Sequence, residues 1–463
     1  MLRAGQQGSG TPSLEETLAE SVPERLFSKH LELVPQLNEV YELELAFLES
    51  RLLNDDELIR NGAYFARVGD TLTRHFLMCS GQPVFLPQHS SSRLRSFFQT
   101  KQFKTGYGTH GLFPYRGKFH PQMIKGILNV MGLKPGDTVL DPMMGSGTVL
   151  IEARLMGIKS VGVDASPFCQ FMVQAKLDAL TLPLEPIRNA VADSVAVFEH
   201  FEQRASGLKR KRKKTADERA PELFSMEDTK AKRVSGSKKK ISLPKGCDQE
   251  KAYQFLLLAY LDAAGYAERS DRKSPYEQFR AVLERYLFVA DKIQKVLEGV
   301  ESELAPASAL THDARRLPLE DASVDGIVFS PPYSFAIDYL ENDSFHLNFM
   351  GTDIEDLRGR MVGLRGEDLK EQFELYKADM EKVMGECARV LAKGRLCTIV
   401  VGTNNNQLAK ILGVSADEVQ PIDDLLIELA TKHGLRLVRR LERQITGMAN
   451  IMRSEYIVML QRR

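Results

Sequence analysis

From residue 138 onward the chain alternates between short apolar runs and longer stretches with apolar positions at helical spacing. Residues 138–140 and 160–163 read as buried strands, and 149–156 and 167–180 as the helices that follow them. The first strand–helix junction, 141–148, is glycine-rich, and the second strand ends on an acid, Asp164, which together describe a βαβ unit. The alternation breaks at 181 and resumes with strands at 307–311 and 326–329, the latter apolar enough to be buried on both faces. A helix at 369–391, a strand at 394–401 and a helix at 422–433 closed by Gly434 come next. Two last strands, 435–444 and 455–461, are suited to pair as a hairpin. This order predicts an α/β fold with a doubly wound, Rossmann-like sheet and an antiparallel C-terminal hairpin.

The remainder of the chain divides around that core. Residues 1–20 are polar and Gly/Ser-rich and read as a disordered lead-in. Residues 21–113 read as a small N-terminal accessory domain, with a helix at 37–53, strands at 65–68 and 75–78, and a loop suited to contact at 90–113. The core then occupies 114–180, where the glycine loop lies, and 305–463. Between them, 181–304 reads as a helical insertion (188–202, 248–268 and 275–300) around a disordered basic loop at 205–245, a candidate for target recognition.

Charge sharpens that division. The chain carries 62 basic and 62 acidic residues, but 204–245 holds 15 Lys/Arg against 5 Asp/Glu, so this segment is +10 and the rest −10. Such a segment suits phosphate contact through counterion release; the alternatives are a solvated linker or a localisation signal. The five cysteines are scattered and form no CxxC pair, which suggests neither a zinc site nor a disulfide framework. The N-terminus has no apolar h-region and the longest apolar-rich run, 255–264, is too short to span a bilayer. A cytoplasmic protein is expected.

The candidate chemistry centres on Ser330-Pro331-Pro332-Tyr333, directly after the strand at 326–329. Two consecutive prolines can neither donate to a sheet ladder nor continue a helix, so the strand must stop. What remains is a stiff turn of acceptors, the Ser330 hydroxyl and the carbonyls of Ser330 and Pro331, with an aromatic ring beside them. That equipment holds a planar ring bearing an exocyclic amine. Taken alone, the tetrapeptide is equally a Pro-Pro turn with a core tyrosine. The loop Asp141-Pro142-Met143-Met144-Gly145-Ser146-Gly147-Thr148 joins two glycines to a helix N-terminus, where a ligand can approach the backbone closely. Such loops serve nucleotides, flavins and methyl donors alike. Asp141 suits a cationic amine. Asp164 suits a ribose diol or a helix N-cap, and Asp313 an adenine amine or an ordinary loop. Asp338, Tyr339 and His346, on the helix after the turn, either line the pocket or cap and pack.

Jointly these motifs resemble the amino-methyltransferases that use S-adenosylmethionine. Residues 141–148 are similar to that family's D-P-F-x-G-S-G-T loop, with Met143 in place of Phe. Lys118-Phe119-His120-Pro121 resembles the segment before that loop that touches the methionine part of the cofactor. The resemblance covers about 114–180 and 305–463. It implies S-adenosylmethionine as cofactor, held by Phe119, His120, Asp141, Pro142, Met143, Gly145, Ser146, Gly147, Thr148, Asp164, Ala165, Asp313 and Ala314. It implies Ser330, Pro331, Pro332 and Tyr333 as the catalytic turn. A serine at the head of the tetrapeptide is characteristic of cytosine-N4 DNA methyltransferases, whereas adenine and guanine-N2 enzymes carry Asn or Asp. The implied function is therefore methylation of an exocyclic amine, cytosine N4 in DNA first, within a restriction–modification pair. A base N-methyltransferase acting on RNA, such as a guanine-N2 enzyme, and an inactive nucleic-acid-binding scaffold are the rivals. Nucleic acid is the expected partner, DNA before RNA, with neither membrane nor metal. One departure concerns the large insertion between the two motifs, which leaves the target-recognition assignment open.

Overall fold

Seven strands form one mixed sheet: β4 (Thr138–Asp141), β5 (Lys159–Asp164), β6 (Ala307–Thr311), β7 (Val324–Phe329), β8 (Leu391–Thr403), β9 (Leu435–Gln444) and β10 (Ser454–Arg462). The first three, β1 (Leu31–Leu33), β2 (Phe65–Val68) and β3 (Thr71–Leu72), make a separate small antiparallel sheet. The computed structural model describes residues 22–80, 107–214, 248–267, 273–332, 338–444 and 454–463, apart from 36, 38 and 116. The lead-in 1–20, Tyr333 and most of the basic loop 205–245 lie outside the described residues.

The large sheet has the order β6-β5-β4-β7-β8-β10-β9. Strands β4 to β8 pair in parallel, and β10 runs antiparallel to both neighbours. The doubly wound sheet with an antiparallel end is thus present, and the final strand inserts between β8 and β9. The order decides where a ligand can sit. From β4 the chain winds outward one way through β5 and β6, then crosses back to lay β7 on the other side of β4. The strand order therefore reverses between β4 and β7, and connections leave those two carboxyl ends in opposite directions. A crevice opens there, and both motif-bearing turns border it.

Each face of the sheet has its own apolar layer. One packs β4 and β7 residues such as Val139 and Val328 with Ile124, Leu128 and Ile151 of the helices Pro121–Val130 and Thr148–Leu155. The other packs Leu140, Ile327 and Ile399 with Met380, Val383 and Leu426 of the helices Leu369–Val390 and Ile422–Lys432. The N-terminal segment joins the first layer: Tyr64 packs so closely on Gly126 that a Cβ there would lie 2.7 Å from its ring. Buried Glu49 ties the same contact, accepting from Ala63 N–H (3.1 Å), Tyr64 N–H (3.3 Å) and Asn129 Nδ2 (2.6 Å). Residues 75–78, expected as a strand, are instead part of the helix Arg74–Ser80. The Thr73 hydroxyl accepts from Phe76 N–H at 3.1 Å, a local bond that starts a helix.

The insertion is helical, as its spacing predicts. Helices Ser194–Lys214, Gln249–Ala267 and Pro275–Leu297 share a core with Phe113, Phe168 and, from the helix Tyr339–Phe349, Leu340 and Leu347. Ser274 and Glu277 form a capping box at the start of Pro275–Leu297. The helix Ser194–Lys214 carries into the first basic residues, beyond the 202 boundary expected for it. This lobe therefore buttresses the helix Tyr339–Phe349, the next helix after the Ser330-Pro331-Pro332 turn. Among the described residues no helix is long and apolar enough to cross a membrane, and no group of three or more His, Cys, Asp or Glu is placed to hold a metal ion.

Candidate functional site

The turn after β4 needs both its glycines. Gly145 and Gly147 have φ of 46° and 74°, and a Cβ on Gly147 would lie 2.6 Å from the Val173 side chain. Met144 N–H donates to the Val163 carbonyl (2.9 Å) and Gly147 N–H to the Met144 carbonyl (2.7 Å), folding the loop over the end of β5. Gly147 then caps the helix Thr148–Leu155. Beneath the loop, Lys176 donates to the Ser146 carbonyl at 3.3 Å, and burial pushes its ammonium down to about 7.

Two acids serve this loop differently. Asp164, at the end of β5, accepts Gly145 N–H through Oδ2 and Ser166 N–H through Oδ1, both at 2.9 Å. Burial pushes its carboxyl up and those two bonds oppose the shift. The cap of the next helix is Ser166, which accepts Cys169 N–H at 3.4 Å, with Pro167 at the first turn. Asp141 is 1% exposed; Oδ1 accepts Met143 N–H (3.1 Å) and Oδ2 has no hydrogen-bond partner. Burial, with Asp164 nearby, raises its carboxyl well above the usual range. A buried acceptor without a donor fits a ligand that brings one, such as an ammonium group.

Asp313, beyond β6, is gripped by Arg315, whose Nη2 donates to Oδ2 (2.7 Å) and Nε to Oδ1 (2.9 Å). Partial burial opposes the charged form, but the Arg315 guanidinium wins and holds the Asp313 carboxyl below the usual range. Arg315 in turn reaches both oxygens of buried Asp379 at 3.1 Å, and Arg365 reaches the same carboxylate at 2.6 Å. A chain of alternating charges thus fixes the far wall.

These parts and the turn after β7 border one cleft of about 960 Å³, open mouth included. Ser330, Pro331, Pro332, Phe119, Pro142, Met143, Gly145, Ser146, Asp164, Ala165, Asp313 and Ala314 all line it. His120, Asp141, Gly147 and Thr148 do not border it. His120 caps the helix Pro121–Val130, and burial pushes its imidazole down to about 4. Tyr333 lies outside the described residues. The Ser330 hydroxyl is 3.4 Å from the Pro331 carbonyl.

The cleft also has walls that sequence reasoning missed. Tyr115 packs against the loop, its ring 3.4 Å from where a Cβ on Gly145 would stand, and its hydroxyl is 3.6 Å from Cys169 Sγ. Its ring runs parallel to that of Tyr339, centroids 6.5 Å apart and planes 13° from coplanar. Asp343, Arg360, Met361 and Val362 also line the cleft, as does Lys118. Asp338, flagged as cap or lining, is the cap: it accepts Glu341 N–H at 3.0 Å. His346 packs face to face with Phe168 at 4.5 Å and borders a neighbouring hollow. Asp343 stands four residues beyond Tyr339 on one helix, so the i, i+4 rule was the signal that would have found it.

Comparison with known proteins agrees with this architecture. Residues 112–254 match the UPF0020 family, described as an RMKL-like methyltransferase domain. The Type II methyltransferase M.MjaII of Methanocaldococcus jannaschii is 46% identical over 68 residues, 15% of this chain and 13% of its own length. The Type II methyltransferase M.BsoBI of Geobacillus stearothermophilus is 24% identical over 274 residues, 54% of each chain. A tRNA (guanine(10)-N2)-dimethyltransferase of Methanothermobacter thermautotrophicus is 46% identical over 52 residues, 11% of this chain and 16% of its own. This chain thus spans about half or less of the length of these relatives. In its sheet order, its glycine loop and these matches, the chain is similar to the S-adenosylmethionine-dependent amino-methyltransferases.

Proposed function

We propose that this chain transfers a methyl group to the exocyclic amine of a base in DNA, cytosine N4 in the first instance. The observation that carries the reading is one cleft bordered by both the glycine cradle after β4 and the acceptor turn Ser330-Pro331-Pro332 after β7. The bound cofactor supplies an electrophilic methyl group on a sulfonium. The chain's own residues bind and aim. Asp164 takes the ribose, and Asp313 with Ala314 the adenine side. The amine of cytosine is a weak nucleophile because its lone pair is delocalised into the ring. Acceptance of its protons by Ser330 and the Pro331 carbonyl favours a pyramidal nitrogen with its lone pair aimed along the transfer axis. In duplex DNA the base must leave the stack, which costs a few kcal/mol. The basic segment 204–245 supplies phosphate contact, and the helical insertion target recognition. A cytoplasmic enzyme in a restriction–modification pair is the setting that fits.

A second reading, methylation of guanine N2 in RNA, is favoured by the tRNA-methylating relative above. One experiment separates them. The full chain is incubated with methyl-labelled S-adenosylmethionine and a mixture of duplex DNA and tRNA, each is digested to nucleosides, and the products are weighed by mass spectrometry. N4-methylcytosine in the DNA fraction supports the first reading and N2-methylguanine in the RNA fraction the second. Absence of label from both overturns the activity.

A further inference from the structure

A second hollow, about 480 Å³ with its open space, adjoins the cleft and shares Tyr115, Tyr339 and Asp343 with it. Among the described residues its charged borders are both carboxylates: Asp262, which Arg285 and the Tyr286 hydroxyl hold from behind, and Asp343. The other polar borders have committed donors. The Asn342 amide nitrogen donates to the Asp338 carbonyl at 2.7 Å. His346 Nε2 is 3.2 Å from the Leu261 carbonyl, which can only accept, so Nε2 donates there. Two parallel tyrosine rings beside such a surface suit a flat ring that presents N–H groups.

The transfer chemistry leaves one proton unassigned. When the N–CH3 bond forms, the S–CH3 bond breaks and its electron pair stays on sulfur. The nitrogen then carries a positive charge and one proton too many. The catalytic turn can accept hydrogen bonds but holds no base: a serine hydroxyl and peptide carbonyls do not keep a proton at neutral pH. Among the described residues, three carboxylates border the cleft. Asp164 has both oxygens on loop N–H groups and Asp313 is gripped by Arg315, each on the donor side. Asp343 alone of the three also borders the second hollow. It is 8% exposed, and its oxygen lies 4.0 Å from His346 Nδ1, which gives the proton an onward neighbour.

We propose that Asp343 is a further catalytic residue, the base that takes the proton shed by the methylated amine while Tyr115 and Tyr339 flank the target ring. This rests on the reading given under Proposed function and applies to either amine. The test is single-turnover methylation of the oligonucleotide identified there, by wild type, Asp343→Asn and Asp343→Ser. Calorimetric binding of S-adenosylmethionine, and fluorescence of the same oligonucleotide with 2-aminopurine at the target position and no donor present, are measured beside it. The expected result is a fall in rate of about 100-fold or more in both variants, the ordinary worth of a positioned base, with both binding signals within twofold of wild type. A fall of less than tenfold overturns the proposal. So does a loss of donor binding or of the melting transition in both variants, which would make Asp343 structural. Wild type that methylates neither DNA nor RNA sinks the underlying reading instead, a different outcome from an active wild type with an equally active D343N.

Discussion

The two walls of the cleft are built in opposite ways. The donor wall comes mostly from one run of chain, 141–166, and its own hydrogen bonds tie it down. Gly145 and Gly147 have the φ values only glycine adopts easily, Asp164 accepts two backbone N–H groups, and Lys176 holds Ser146 from below. The opposite wall, which we propose faces the base, is assembled from segments far apart in sequence: Tyr115, Ser330-Pro331-Pro332, Tyr339 and Asp343. They meet only because β4 and β7 are neighbours and because the insertion packs on the helix Tyr339–Phe349. A site that must hold a fixed cofactor is organised by local hydrogen bonds. The wall proposed to receive the target base is organised by side chains on separate supports.

Breaking one wall without the other is the sharpest test of that contrast. Ser330→Ala should have the largest effect, a loss of transfer rate of about 100- to 1,000-fold, since on the proposed function it removes an acceptor for the reacting amine. Calorimetric affinity for S-adenosylmethionine should stay unchanged, and a matching loss of affinity would show that the walls are not independent. Asp164→Ala should do the reverse. It strands two buried N–H groups of the cradle, so cofactor affinity should fall by about 30- to 100-fold, while oligonucleotide binding measured by anisotropy holds. Arg315→Lys keeps the charge but loses the fork on Asp313 and Asp379. An affinity loss of about tenfold is expected, read in the same calorimetric titration.

The last test lies outside the cleft and leaves transfer untouched. Burial pushes Glu49 up to about 7, against hydrogen bonds from Asn129, Ala63 and Tyr64. The folded chain therefore keeps a proton that the unfolded chain releases near 4.5. That contribution to stability is complete below pH 4.5 and is lost as pH rises towards 7, by roughly 1.4 kcal/mol per unit within the window. Urea melts at several pH values should show this slope in wild type and lose it in Glu49→Gln. A slope that survives the substitution would assign it elsewhere.

Much of the donor wall was legible because it is local. A strand, a glycine loop, a helix and an acid on the next strand follow one another within one stretch of chain, and each leaves its own mark. The acceptor turn was legible for the same reason, since two prolines fix their own geometry. What escaped was non-local or competing. Tyr115 lies in a segment without periodicity. Asp343 looks like any polar residue on a helix. His75 to Met78 have strand-like composition, yet one hydroxyl, that of Thr73, turned them into a helix.

The sequence by itself determined the order of strands and helices, the need for glycine at 145 and 147, and the stop after Phe329, because backbone sterics act between near neighbours. Only the tertiary structure decided that Gly145 and Pro331 face one cleft, that Tyr115 lies parallel to Tyr339, and that Asp343 stands beside them. Those facts follow from the reversal of strand order between β4 and β7 and from the packing of the insertion, which depend on contacts between segments that no local pattern encodes.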